Sequence, residues 1–280
     1  MRNQSGKTAL VVEGGAMRGI FAAGVLDSFM QKAFLPFDML IGVSAGSINA
    51  AAYLANQKGR NYKVFTDYSL RPEYISWKKF LKGGHLMDLD WSWEITGREL
   101  PIDLDLLFSK NIDFEIGITL NKDGSSKFIK AIPGNLSDVM KASCSVPLFY
   151  RNFLKVDGET VADGGVSAPI PVDRAIKRGA TKIMVIRSRK ADFRMKNGGE
   201  NMLSRFLFRK HPGLAKAIQM RPDIYNQSIE LIKNPPKGVE IIDICPADSF
   251  ATKRFTTNID VLNKDYLLGK VQGLEAIKKW

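Results

Sequence analysis

The run Gly42-Val43-Ser44-Ala45-Gly46 is a G-x-S-x-G pentapeptide set between an apolar stretch, 37–43, and a run of small residues, 45–56. A strand entering and a helix leaving a tight, strained turn would hold the Ser44 hydroxyl clear of the sheet edge as a nucleophile. Gly42 and Gly46 would let strand and helix approach without Cβ clashes. The helix would turn its positive end toward a developing oxyanion. The pentapeptide alone is common by chance; the strand before it and the helix after it carry the reading.

A second candidate is Glu13-Gly14-Gly15-Ala16-Met17-Arg18-Gly19, directly after the apolar stretch 8–13. Glycine-rich backbone at a helix N-terminus offers N–H groups to an anion. That anion can be a nucleotide phosphate or a tetrahedral oxyanion. Gly14-x-Ala16-x-x-Gly19 nearly fits the dinucleotide fingerprint, which also needs an acidic residue at the end of the next strand. Asp38 begins that strand instead, and the strand ends at the Ser44 turn. The oxyanion reading is therefore preferred.

A third candidate is Asp163-Gly164-Gly165. An aspartate before glycines can be an ordinary turn. Asp157-Gly158 already accounts for the turn of a hairpin over 155–162, so Asp163 ends a short strand, where its carboxylate can be aimed into a site. A Ser-His-Asp triad needs an imidazole base. The two histidines are His85, in a glycine loop, and His211, on a basic face. Neither lies where an α/β-hydrolase would bring it, so a carboxylate is the better base for Ser44.

The elements that must position these residues read as strand 8–13, helix 18–33, strand 37–43 and helix 45–56. An order of strand, helix, strand, helix predicts a parallel sheet with right-handed crossovers. Residues 57–110 read less clearly, with two helical fragments around Gly83-Gly84. Paired strands follow over 112–121 and 126–130 about Asp123-Gly124, then helix 135–144. Helix 171–178, strand 181–187, strand 239–244 and helix 259–278 complete an α/β unit. The simplest domain reading is one unit over 8–280, with 187–237 as a basic insertion or lid-like segment.

The chain has 280 residues, 45% hydrophobic and 25% charged, which excludes collagen, low-complexity disorder and coiled coil. Formal net charge is +12, which favours anionic partners. No zinc-finger, RNP or basic-zipper pattern accompanies it, so nucleic acid is not the expected partner. Cys144 and Cys245 make no disulfide framework and lack zinc spacing, which fits a reducing, cytoplasmic setting. The apolar run 9–12 is too short for a signal peptide core, and no stretch approaches the ~20 apolar residues of a membrane span.

Taken together, GGAMRG after strand one, GVSAG after strand two and a distal DGG resemble the patatin-like phospholipases, in order and spacing over about 8–190. The resemblance implies a three-layer α/β/α fold around a central, mainly parallel sheet. It implies a serine acyl-ester hydrolase acting on lipids, of phospholipase A or lysophospholipase type. The nucleophile falls on Ser44 and the proton acceptor on Asp163. The oxyanion loop falls on Gly14, Gly15 and Ala16, joined by the Ala45 amide, with Arg18 at the family's arginine. Gly19, Gly42, Gly46, Gly164 and Gly165 support these groups. Neither metal nor organic cofactor is implied. Two residues depart from the family pattern: Glu13 stands where aspartate is frequent, and Ala16 where a third glycine is common. Alanine keeps its N–H, and the loop is expected to serve if the Ala16 φ is negative. Ser143-Cys144-Ser145-Val146-Pro147 resembles a small-residue stretch that packs around the site.

Segment 187–237 holds twelve basic and four acidic residues, eight of the chain's twelve surplus charges. Met202, Leu203, Phe206, Leu207 and Phe208 interleave with them. Such a segment suits peripheral contact with an anionic membrane surface; a solvated face over ordinary packing is the alternative. The rival functional classes are a lipid- or membrane-binding protein with little turnover, which the presence of both Ser44 and Asp163 argues against, and a dinucleotide- or nucleic-acid-binding protein.

Overall fold

A computed structural model describes residues 6–196, 204 and 206–280 of the chain. It opens with β1 (Lys7–Val12), a 3-10 turn (Ala16–Arg18), α1 (Gly19–Gln31), β2 (Met39–Val43) and α2 (Ala45–Leu54). Where two helical fragments were expected, the chain forms α3 (Arg60–Thr66), α4 (Trp77–Leu81), α5 (Leu89–Glu99) and α6 (Leu104–Ser109). The last three begin at polar caps. Ser76, Asp88 and Asp103 accept the backbone N–H of Lys79, Trp91 and Leu106, the donors a helix start leaves unpaired. The chain continues through β3 (Asp113–Leu120), β4 (Ser126–Lys130), α7 (Leu136–Ser143), β5 (Leu154–Val156) and β6 (Glu159–Asp163). It ends with α8 (Val172–Lys177), β7 (Ala180–Ile186), α9 (Pro212–Lys233), β8 (Glu240–Ile244) and α10 (Ile259–Lys279).

The strands form one mixed sheet in the order β5-β6-β3-β2-β1-β7-β8, with β4 also paired to β3. Strands β3, β2, β1, β7 and β8 run parallel; β4 and β6 pair antiparallel with β3, and β5, antiparallel to β6, runs in the direction of β3. Helices cover both faces, giving three α/β/α layers. Side chains alternate along β1. Leu10 and Val12 join Phe21, Leu26 and Phe29 of α1 on one face; Ala9 and Val11 join Ile41, Val185 and helix α9 on the other. Strands buried on both sides in this way read as continuous apolar runs.

Helix α9 falls within the segment read from sequence as an insertion or lid. Its Tyr225, Ile229 and Ile232, at i, i+4 and i+7, are buried against the sheet with Val172 and Ala175 of α8. These residues form part of a structural layer. The helix itself carries three basic and two acidic residues, an ordinary amphipathic balance, and the basic surplus of the segment lies mostly before it. Met202 and Leu203 lie outside the described residues.

Helix α10 packs along α1, the helix that follows the glycine loop. The approach is close. A Cβ on Gly269 would stand 2.2 Å from the Phe21 carbonyl oxygen, and one on Gly24 2.1 Å from that of Tyr266. Gly269→Ala should therefore destabilise the protein by roughly 1–3 kcal/mol through overpacking, measured by urea unfolding. Gly97→Ala, exposed on α5 with nothing within 4 Å of the new Cβ, should be neutral or stabilising by up to about 1 kcal/mol.

Candidate active site

The sheet register brings two distant residues together. On β3, Gly117 pairs with Phe128 of β4 and Val43 of β2, and Ile118 pairs with Lys127 of β4 and Asp163 of β6. Strand β4 occupies one side of β3 at both positions, so β2 and β6 share the other side. They run in opposite directions and meet end to end. The residue after Val43 is Ser44, and the last residue of β6 is Asp163.

Ser44 sits at φ 52 and ψ −134, a strained conformation for a residue with a Cβ. The turn is forced by closeness: a Cβ on Gly46 would stand 2.3 Å from the Val12 carbonyl oxygen. The Ser44 backbone N–H donates to Ser143 Oγ at 2.8 Å, and Ser143 Oγ donates to the Gly117 carbonyl at 2.6 Å. Ser47 Oγ donates to the Ser44 carbonyl at 2.7 Å. Sequence reading assigned Ser143 to packing; it also anchors the turn through this relay.

The Ser44 hydroxyl donates to Asp163 Oδ2 at 2.6 Å, and the Gly165 N–H donates to Asp163 Oδ1 at 2.7 Å. Both side chains are buried. Burial holds the Asp163 pKa above the ordinary carboxylate value; the Ser44 hydroxyl, the Gly165 N–H and the charges of Arg221 and Arg254 pull the other way. Adjacent Cys144 is buried too, and its thiol is pushed well up, so it stays neutral beside the serine.

The glycine loop closes over this pair. A Cβ on Gly14 would stand 2.7 Å from Ser44 Cβ. Among the described residues, none accepts the backbone N–H of Gly14, Gly15 or Ala16. Ala16 lies at φ 49, positive where the sequence reading required a negative value. The left-handed conformation costs an alanine roughly 1–2 kcal/mol, which a third glycine would avoid. Glu13 Oε2 accepts the Ser188 N–H at 2.6 Å and ties the loop to the end of β7; burial raises its pKa. Arg18 is buried beside Ser188 Oγ at 3.5 Å. Burial, then the charges of Arg189, Arg254 and Arg221, lower its pKa to about 9, so it remains cationic at neutral pH.

A cavity of about 40 Å³ lies over Ser44 and Asp163, lined also by Gly14, Gly15, Ala16, Arg18, Val146, Arg221 and Arg254. Arg221 is held by its Nε donating to the Gly165 carbonyl at 2.7 Å. Sequence reading missed both Arg221 and Arg254, since no local motif marks them. His85 instead accepts the Arg151 N–H at Nδ1 and stacks on Tyr150; His211 packs on Phe153. Neither histidine lines the cavity.

The family model for patatin-like phospholipase matches residues 10–176, which carry Ser44, Asp163 and the glycine loop. The chain belongs to the patatin-like phospholipase family. This is a family of lipid acyl hydrolases. A second model, for a domain of unknown function (DUF6363), matches residues 211–280, the part that supplies Arg221 and Arg254. The uncharacterized protein YjjU of Escherichia coli strain K12 is 34% identical over 274 residues, covering 96% of this chain and 77% of that protein. The crystal structure of VipD from Legionella pneumophila superposes with a TM-score of 0.47 at 12% identity, over 98% of this chain and 67% of that one. As a patatin-like protein the chain has no helix, among the described residues, long and apolar enough to cross a membrane.

The raised Asp163 pKa fixes the sign of a pH effect. A folded-state carboxyl that holds its proton more tightly than the unfolded one stabilises fully below the unfolded pKa. That contribution is lost as pH rises through the raised folded value. Above that raised value Asp163 is a charge buried at a cost. Asp163→Asn should melt at or above the wild-type temperature at pH 7, with the difference shrinking as pH falls into the carboxylate range. Thermal unfolding across that range measures it.

Proposed function

We propose that the protein is a serine acyl-ester hydrolase acting on lipids, with Ser44 as nucleophile and Asp163 as proton acceptor. The 2.6 Å hydrogen bond between the Ser44 hydroxyl and the buried Asp163 carboxylate carries this reading. Ser44 Oγ attacks the ester carbonyl as its proton passes to Asp163. Amides of Gly14, Gly15, Ala16 and Ala45 receive the developing oxyanion, the Ala16 N–H being without a protein acceptor among the described residues at its positive φ; each such donor contributes roughly 3 kcal/mol to transition-state stabilisation. The proton on Asp163 then passes to the leaving alcohol, and water hydrolyses the acyl-enzyme with Asp163 again taking a proton. The burial that raises the Asp163 pKa narrows the gap between a carboxylate and an alcohol.

Ser44→Ala should abolish hydrolysis of a short-chain p-nitrophenyl ester, and Asp163→Asn should lower kcat by roughly 10²–10⁴-fold. Full activity in either variant would defeat the dyad. The wild-type rate should fall as pH drops through the raised Asp163 pKa, because only the ionised carboxylate accepts the proton.

Three arginines around one cavity, Arg18, Arg221 and Arg254, favour an ester that carries a phosphate over a neutral glyceride. Hydrogen bonds to a charged group contribute roughly 1.5–3 kcal/mol. Arg254→Gln should therefore reduce kcat/KM for a monoacylglycerol phosphate at least about tenfold more than for the matching monoacylglycerol. An equal loss on both substrates would contradict a phosphate contact.

A further inference from the structure

Helix α4 buries none of its residues. Trp77 is 55% exposed and Leu81 83% exposed, and Lys78 and Lys79 stand between them on the surface. Nevertheless the helix is capped by Ser76 and belongs to a connected surface. The Trp77 ring meets those of Phe80 and Phe255, each at 6.0 Å, and Phe255 packs edge-on against Phe149 at 4.9 Å. Arg151 lies over the Phe80 ring at 4.7 Å, and Arg254 over the Phe149 ring at 5.6 Å. Leu148, beside Phe149, is exposed at φ 74, a conformation that is a genuine outlier for a bulky side chain.

This surface runs into the cavity over Ser44, because Arg254 and Val146 line that cavity and belong to the same two loops. Lys78, Lys82, Arg151 and Lys253 stand exposed among and beside the apolar side chains. An aromatic side chain suited to a bilayer interface, an exposed leucine and a cationic surround together match an anionic lipid surface in chemistry and charge.

We propose that this surface docks the protein on an anionic bilayer, with Trp77, Leu81 and Leu148 entering the interface and the surrounding lysines and Arg151 meeting headgroup phosphates. The proposal rests on the lipid-hydrolase reading for its purpose: docking sets the cavity mouth against the membrane. It moves the contact away from the basic segment 187–237, where Phe206, Leu207 and Met220 are exposed apolar side chains among the described residues.

The test is co-sedimentation with vesicles of phosphatidylcholine alone and of an equimolar mixture with phosphatidylglycerol. The wild type should bind the mixed vesicles, release at high salt and leave the neutral vesicles in solution. Trp77→Ser/Leu81→Ser should bind the mixed vesicles at least about tenfold more weakly while hydrolysing a soluble short-chain ester at the wild-type rate. Phe206→Ser/Leu207→Ser should bind as the wild type does. Fluorescence quenching by brominated lipid should be seen in the wild type and lost in the conservative Trp77→Phe variant, which retains binding. Wild-type protein that ignores the mixed vesicles, undiminished binding by Trp77→Ser/Leu81→Ser, or quenching that persists in Trp77→Phe would each overturn the docking proposal. Failure of the wild type to hydrolyse any ester would instead count against the catalytic reading and leave the vesicle result to stand by itself.

Discussion

One buried hydrogen bond, from an alcohol to a carboxylate, depends on nearly everything else in the fold. It exists because β2 and β6 run toward each other along one side of β3 and stop at neighbouring positions, Gly117 and Ile118. Each strand then delivers its next or last side chain to the same place. Close packing of Gly46 on the Val12 carbonyl bends the chain at Ser44, and Ser143 fastens that bend to β3. A shift of one residue in either pairing would turn a side chain to the opposite face of the sheet and separate the pair. The geometry is a property of the register, held by strands buried on both sides.

Burial has two opposed effects on the pair. It raises the proton affinity of Asp163, which would suit the proposed transfer of a proton from an alcohol. Ionisation then costs more, and the arginines offset part of that cost. Both, Arg221 and Arg254, come from the C-terminal part of the chain beyond the segment matched by the patatin-like model. The same part packs α10 along α1, accepts the Met17 N–H at the Arg254 carbonyl, and fixes the turn after Asp163 through Arg221. The glycine loop, Asp163 and the cavity charge are thereby coupled to residues that follow the DGG turn by more than fifty positions.

Glycine-bearing turns were legible in the sequence because their cause is local. GVSAG, GGAMRG and DGG each mark a place where backbone must pass backbone, and the alternating strand and helix pattern around the first two set the sheet. The Asp157-Gly158 turn was legible for the same reason, both residues lying at positive φ. What stayed hidden has non-local causes. Arg221 and Arg254 reach the cavity only through helix and loop packing, and no spacing rule connects them to Ser44. Helix α9 was hidden by its neighbours: the basic surplus of 187–237 lies mostly before Pro212, and reading the segment as one basic unit passed over the apolar spacing of Tyr225, Ile229 and Ile232. The sign of the Ala16 φ is decided by the loop closing over Ser44, not by the alanine. Helices α4 and α6 rest on caps at Ser76 and Asp103 and, at five and six residues, are too short to show a period.

The account comes down to whether Ser44 is activated by Asp163. Mass-spectrometric mapping after reaction with a fluorophosphonate measures this directly, because the reagent phosphonylates an activated serine hydroxyl. The adduct should form on Ser44, and its rate should collapse in Asp163→Asn while the protein stays folded. An adduct on another residue, or one forming on Ser44 at the wild-type rate without the Asp163 carboxylate, would contradict it.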